Sequence, residues 1–307
     1  MELKKIIVVG STNMDMVVKT SYIPEPGETV LGGTFFMNPG GKGANQAVAG
    51  ARLGGDVIFV SKMGNDVFGK QAFRLYDEEG IDTGFIVSDD ELPSGVALIT
   101  VDDNGQNSIV VAPGANAALG AAEVERALRN ISNKHIVLLQ LEIPMETVHF
   151  VVRHAAEKGA LVILNPAPAA SLSPDLLQFV DLITPNETEA SILSGIKVTN
   201  LETAKQAAQI IRNLGVKNVV VTMGELGALL LEDKIFYEVG TPSVQPVDTT
   251  AAGDVFNGAL AVALSEGKNL EAAVSFACIA ASISVTKMGA QSSIPYRNEL
   301  IAGKIAI

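Results

Sequence analysis

The chain has 307 residues, 48% of them hydrophobic and 18% charged, with a formal net charge of -12. That length and apolar content support a large buried core and exclude a disordered chain. The acidic balance argues against nucleic acid or an anionic membrane surface as a partner, although a local nest of backbone N–H groups can still bind phosphate.

Residues 6–10, Ile-Ile-Val-Val-Gly, read as a strand buried on both faces. The run is too short for a signal-peptide core, and no apolar run reaches spanning length, so the expectation is a soluble, cytoplasmic protein. Residues 14–18 alternate like a half-exposed strand. Asp15, between two methionines, is either a solvent-facing position or a carboxylate at the end of the first core strand, where α/β sheets place ligands. A turn at 24–28 and an extended stretch over 29–37 lead to Asn38-Pro39-Gly40-Gly41-Lys42-Gly43-Ala44-Asn45-Gln46. Ala44, Ala47, Val48 and Ala51 follow at helical spacing, and Gly54-Gly55 ends the helix. Gly43, rather than Ser or Thr, follows Lys42, so this is not a P-loop. It is either a helix cap with a close backbone approach or a polar ligand site using Lys42 and Asn45.

A strand over 57–60 precedes a helix capped by Asp66 and running to Glu79. Residues 96–101 and 108–111 flank a polar turn and form a hairpin signal. With the extended parts of 14–37, this hairpin suggests a small antiparallel sheet beside the main body. From residue 121 strands and helices alternate: helix 121–130, strand 136–141, helix 145–158, strands 160–164 and 180–184, helix 201–214, strand 218–222. That rhythm means a parallel sheet covered on both faces. A second hairpin spans 226–231 and 234–237, and helices run from Asp254 to near Gly267 and over 270–284. Asn13, Asp15, Glu142, Asn165, Asn186 with Glu187 and Glu189, and Thr222 all fall at C-terminal strand ends, the edge along which open α/β sheets bind ligands. The lone Cys278 permits no intramolecular disulfide and fits a reducing compartment. His135, His149 and His154 form no cluster, so no zinc site is expected.

Asp248-Thr249-Thr250-Ala251-Ala252-Gly253-Asp254 opens the helix at 254. The small residues leave backbone N–H groups accessible, and a first helical turn offers them to an anion. Asp254 among them is either a helix-end stabiliser or a base beside a bound anion.

Three stretches resemble the signatures of the ribokinase-like, phosphofructokinase-B type carbohydrate kinases: Gly40 to Gln46, Asn186-Glu187-Thr188-Glu189, and Asp248 to Asp254 with Ala-Ala-Gly-Asp in place of the commoner Gly-Ala-Gly-Asp. The likeness covers essentially the whole chain. Gly10 to Asp15, Leu164 to Ala169 and Gly289-Ala290-Gln291 resemble its ribose-phosphorylating members. The resemblance implies a ribokinase-like α/β three-layer sandwich with a mainly parallel central sheet. It implies one domain over 1–307 with a small antiparallel β lid from about 14–37 and 92–112. It implies transfer of the ATP γ-phosphoryl to the 5-hydroxyl of D-ribose. Asp254 would be the base and the N–H groups of Ala251, Ala252 and Gly253 the anion hole. The sugar would meet Asn13, Asp15, Gly41, Lys42, Gly43, Asn45, Glu142 and Asp254. The nucleotide would meet Asn186, Glu189, Thr222, Gly224, Gly227, Gly253 and the helix around Cys278, with Asn186 and Glu189 organising Mg²⁺ through water. Outside this resemblance, Asn-x-x-Glu reads as a capping box. Cys278 stands where the family more often has His or Asn, and a small buried core residue is the plainer reading. A monovalent cation, K⁺ by the resemblance, would sit at Asp248, Thr250, Ser284, Lys287, Gly289 and Ser293. A homodimer through the lid is also implied. The alternatives are a kinase of the same family acting on deoxyribose, fructose, a keto-deoxy sugar acid or a nucleoside, and a non-catalytic sugar-sensing relative. A Rossmann dehydrogenase fails because Gly10-Ser11-Thr12-Asn13, not GxGxxG, follows the first strand.

Overall fold

The computed structural model describes residues 3–104 and 106–302. In chain order the elements are β1 (Lys5–Val9), β2 (Asn13–Lys19), β3 (Thr34–Gly40), α1 (Lys42–Arg52), β4 (Val57–Gly64), α2 (Val67–Glu78), β5 (Asp82–Asp89), β6 (Gly95–Val101) and β7 (Asn107–Ala112). There follow α3 (Ala121–Leu128), β8 (His135–Leu139), α4 (Met145–Glu157), β9 (Leu161–Leu164), α5 (Pro174–Leu177), β10 (Leu182–Ile183), α6 (Glu187–Ser194) and α7 (Leu201–Asn213). The last are β11 (Asn218–Thr222), β12 (Ala228–Glu232), β13 (Ile235–Val239), α8 (Ala252–Ser265), α9 (Leu270–Ser284) and α10 (Arg297–Ala302).

Nine strands form the main sheet in the order β13-β12-β11-β10-β9-β8-β1-β4-β5. All neighbours from β11 to β5 are parallel, and only β12 and β13 run antiparallel. Alternation along each strand divides the core in two. Ile6, Val8, Ile136, Leu138 and Val220 face one side, against residues of α1, α8 and α9. Ile7, Val9, Val137, Leu139, Val219 and Val221 face the other, against α3, α4 and α7. This is the three-layer sandwich that the resemblance implies. Among the described residues no helix is long and apolar enough to cross a membrane.

A separate four-stranded sheet has the order β3-β2-β6-β7. Its β2–β3 and β6–β7 pairs are antiparallel, as the hairpin signal indicates, and its central β2–β6 pair is parallel. Parallel pairing needs a long crossover; here it carries β3, α1, β4, α2 and β5. Gly105, in the β6–β7 turn, lies outside the described residues.

Some boundaries and two elements differ from the sequence reading. The strand expected over 136–141 ends at Leu139, because Gln140 and Glu142 leave the sheet for polar partners. The helix expected from Asp254 begins at Ala252. β5 and α6 carry too little apolar periodicity to stand out in the sequence, and both are present.

Candidate active site

Because β1, β8, β9, β10 and β11 are parallel, their C-terminal ends share one edge of the sheet. Ser11 to Asn13, Gln140 to Glu142, Asn165, Thr184 and Thr222 stand there in a row. Glu142 stitches two segments together. Its Oε2 accepts from Ser11 Oγ at 2.5 Å and from the Lys42 backbone N–H at 3.0 Å. The loop can pass this close to β1 because Gly41 adopts φ 89°, a left-handed conformation that suits glycine. Asn13 is held from below: its Oδ1 accepts from Asn116 Nδ2 at 2.8 Å. Asp15 sits on β2, paired across to Asn38 and Ala97.

Asp254 lies in the first turn of α8 and is 6% exposed. α8 packs directly on α1, and Gly258 is what permits it. A Cβ there would stand 2.6 Å from Ala49 Cβ and 2.8 Å from the Gln46 carbonyl. This approach brings two α1 amides onto the carboxylate. Asn45 Nδ2 donates to Asp254 Oδ2 at 2.9 Å, and Gln46 Nε2 donates to Oδ1 at 3.0 Å. Burial pushes the Asp254 carboxyl up, opposed by the charge of Lys42 and by these two donors. Burial pushes Asp15 up to about 7, reinforced by Glu142 and Asp254 and opposed by Lys42. Burial alone would lower Lys42, but Asp254, Glu142, Glu189 and Asp15 together hold its ammonium above the ordinary range. Four carboxyls thus crowd around one lysine.

Ala251 precedes α8 at φ 62° and ψ 7°, a left-handed conformation that costs a non-glycine residue about 1 kcal/mol. Such strain, held by the surrounding structure, accumulates at functional sites. The sequence reading opens the N–H groups of Ala251, Ala252 and Gly253 alike. In the structure the Ala252 N–H closes a turn on the Thr249 carbonyl at 3.2 Å. Gly253 and Asp254 are the next positions of the first turn, where N–H groups have no carbonyl four residues back inside the helix. No atom lies within 4 Å of where a Gly253 Cβ would be, so that face of the turn is open.

A cavity of about 170 Å³ faces this turn, lined among others by Lys42, Asn165, Asn186, Glu189, Thr222, Ala251, Ala252, Gly253 and Asp254. Asn13, Asp15, Gly41, Gly43, Asn45 and Glu142 do not line it. They belong to the group joined through Lys42 and Asp254 to its other side. The site therefore has two halves that meet at those two residues. Asn186 and Thr222 are joined by a β-bridge. Asn186 and Glu189 form the capping box of α6: Asn186 Oδ1 accepts from the Glu189 N–H at 2.8 Å, and Glu189 Oε2 accepts from the Asn186 N–H at 2.9 Å. They do this while lining the cavity, so the capping-box reading of Asn-x-x-Glu holds and the pair also faces the cavity. Burial raises the Glu189 carboxyl, against the Asn186 hydrogen bond and Lys42. Gly224 and Gly227 shape the β11–β12 turn and stand outside the cavity lining. Cys278 is buried in the apolar core of α9, with its thiol pushed up to about 12 by burial, as the plainer reading has it.

Asp248 bridges two segments. Its Oδ1 accepts from the Thr250 N–H at 2.9 Å and its Oδ2 from the Gly289 N–H at 2.8 Å. Burial would raise this carboxyl, but the bonds to Thr250 and Gly289, with Lys19, hold it below the usual range. The Val247 N–H meets the Val285 carbonyl at 2.7 Å, which lays the loop against the C-terminal end of α9. Ser284 and Ser293 are buried and donate to the carbonyls of Ala281 and Ala290 at 2.8 Å, leaving lone pairs on their oxygens. The Lys287 ammonium turns to Glu299 at 2.6 Å, so only its backbone belongs here. An ionised carboxylate, hydroxyl oxygens and a helix C-terminus make a donor set suited to a hard cation.

Sequence reasoning missed Gln46, Gln140, Asn116, Thr184 and Asn257 as parts of the site. Thr184 Oγ1 donates to Asn257 Oδ1 at 2.6 Å, and Asn257 Nδ2 holds the Gly253 carbonyl at 2.8 Å. One signal was available: Gln140 interrupts the apolar run Leu138-Leu139-Gln140-Leu141 at the end of a buried strand.

A buried carboxylate at a helix N-terminus, open to a cavity on one side and to polar side chains on the other, outlines an enzyme that activates a hydroxyl beside an anion. The family model of the pfkB family carbohydrate kinases matches residues 3–297, and the chain belongs to that family. Ribokinase of Haemophilus influenzae (strain ATCC 51907 / DSM 11121 / KW20 / Rd) is 43% identical over 298 residues, covering 97% of each chain. Ribokinase from Thermotoga maritima, known from its crystal structure, is 44% identical with a TM-score of 0.89, over 97% of this chain and 98% of that one. The structure of Arabidopsis thaliana ribokinase complexed with ribose and ATP is 35% identical with a TM-score of 0.89, over 98% of each.

Proposed function

We propose that this protein phosphorylates D-ribose at its 5-hydroxyl with ATP, giving D-ribose 5-phosphate and ADP. The observation that carries the reading is Asp254, buried, held by two amides and standing at the open turn of α8 where the two halves of the site meet. The full-length likeness to ribokinases, one of them solved with ribose and ATP, supports the substrates.

The residues then take these roles. Asn13, Asp15, Glu142, Asn45 and the backbone of Gly41 to Gly43 hold the sugar, since carboxylates and amides pair with adjacent hydroxyls. Asp254 takes the proton of the attacking hydroxyl. Developing charge on the phosphoryl meets the open N–H groups of the 251–254 turn and the Lys42 ammonium. Thr222 and Asn186 line the path of the nucleotide, with Gly224 and Gly227 shaping the adjoining turn. Among the described residues no group of three or more His, Cys, Asp or Glu is placed to hold a metal ion. Mg²⁺ bound with ATP would supply charge neutralisation at the phosphates, with Glu189 and Asn186 placed to hold its water. K⁺ held by the oxygen-rich loop of Asp248, Thr250, Ser284, Gly289 and Ser293 would supply positive charge behind the anion hole. The chain forms one domain, with the four-stranded sheet as a lid over the sugar, and pairs through that lid as a homodimer.

The test is ADP release with a panel of D-ribose, deoxyribose, fructose, a keto-deoxy sugar acid and a nucleoside, with and without K⁺. Highest kcat/KM for D-ribose, raised by K⁺, is expected. Preference for another member replaces ribose as the substrate, and no release with any of them favours a sugar sensor.

A further inference from the structure

We infer that Gln46 is a positioning residue for the base: it fixes the orientation of the Asp254 carboxylate and keeps it an acceptor. The inference rests on the reading of Asp254 as base.

Gln46 is fully buried on α1, and its whole amide is committed. Nε2 has two protons. One goes to Asp254 Oδ1 and the other to Asn165 Oδ1, both at 3.0 Å. Oε1 accepts from Gln140 Nε2 at 2.5 Å. Asn165 in turn donates through Nδ2 to the Thr184 carbonyl at 3.3 Å, so its oxygen faces Gln46. The Nε2 end of the Gln46 amide is therefore pinned by two acceptors, whereas Gln140, whose Oε1 has no partner among the described residues, follows the Gln46 oxygen. A flip would set the Gln46 oxygen against the Asp254 carboxylate and against the Asn165 oxygen. That arrangement becomes acceptable only if Asp254 carries a proton. The chain of amides from β8 through α1 to β9 thus selects the ionised carboxylate and fixes its orientation.

Asp254 needs such selection, because burial drives it towards the neutral acid. The charged groups facing it are Lys42 on α1, Glu142 after β8, Asp15 on β2 and Glu189 on α6. Three of the four are acidic, and only Lys42 supports ionisation. Donation from Asn45 and Gln46 supplies the rest.

The probe is single-turnover phosphoryl transfer from saturating MgATP to whichever sugar the wild type uses, followed between about pH 5 and 9. Gln46→Met keeps side-chain length and removes both donors. Its acid limb should move up by about one pH unit, with a loss of about tenfold below the limb, an alkaline plateau within about threefold of wild type and a sugar KM within about threefold. Gln46→Glu sets a second carboxyl against Asp254 and should move the limb further in the same direction. Profiles that overlay after scaling, or an unmoved limb with a raised KM, overturn the inference, because a purely structural role predicts those. If Gln46→Met does not fold, Gln140→Met takes away the donor to the Gln46 oxygen and loosens the amide; a smaller upward shift supports the inference and no shift overturns it. The carbon-13 shift of the Asp254 carboxyl, titrated in wild type and variants, reads the same difference without turnover. Failure of the inference is thereby separate from failure of the kinase reading.

Discussion

Asp15, half-buried, and Asp254, buried, are two carboxyls raised by desolvation, and they are held differently. Asp254 has two amide donors, whereas Asp15 faces Glu142 and Asp254 with Lys42 as its compensation and ionises near 7. In the unfolded chain Asp15 reverts to about 3.8. Between those values the folded protein holds the extra proton, so stability falls as pH rises from 3.8 to 7 and is not regained above. Asp15→Asn removes that penalty. Without ligand, the variant should be more stable than wild type at pH 8 by about 1–2 kcal/mol, read by thermal melting, and no more stable at pH 4. Its affinity for ribose, measured by calorimetry, should drop by about 100-fold, because a buried hydroxyl loses a charged acceptor. Equal melting temperatures at pH 8 would show that Asp15 is solvated and does not carry the burial described.

At the scale of elements, the four-stranded sheet has an unpartnered face. The register puts Met37, Met16, Leu98 and Val110 in one cross-strand row, with Val18 and Phe35 in a neighbouring row on the same face. Phe35 is 57% exposed, Met37 48%, Leu98 54% and Val110 65%. A contiguous apolar face on a sheet with two open edges calls for cover. A second copy of the same sheet supplies it in the proposed dimer. Leu98→Glu combined with Val110→Glu should give a monomer by light scattering at micromolar concentration, with the melting of the main domain little changed. A dimer that persists would place the interface elsewhere. The two hairpins were legible because short apolar runs flank polar turns. The parallel β2–β6 pair was not, since nothing in residues 13–19 or 95–101 encodes which strand each will meet across a long crossover. β5 escaped notice because none of its residues is fully buried, so it carries no strong apolar run.

At the scale of the whole molecule, function depends on parallel strands ending at one edge. That edge was legible: Asn13, Glu142, Asn165 and Thr222 each follow an apolar run, and alternation with helices makes those runs parallel. The polar partners were not legible, because they are set by tertiary approach. Gln46 meets Gln140 and Asp254 across 94 and 208 residues of sequence, the second because α1 and α8 touch at Gly258 and Ala49. The capping box at Asn186 illustrates the converse: a local signal read correctly says nothing of the cavity it also lines. What remains decisive is Asp254. Asp254→Asn preserves shape and one of the two acceptor oxygens, sets an NH₂ where the other accepted from an amide, and removes the proposed base. Ribose-dependent ADP release should fall by about 1,000-fold or more while ribose and ATP still bind within a few-fold of wild type. Turnover by Asp254→Asn within about tenfold of wild type would contradict the assignment of Asp254 as the base.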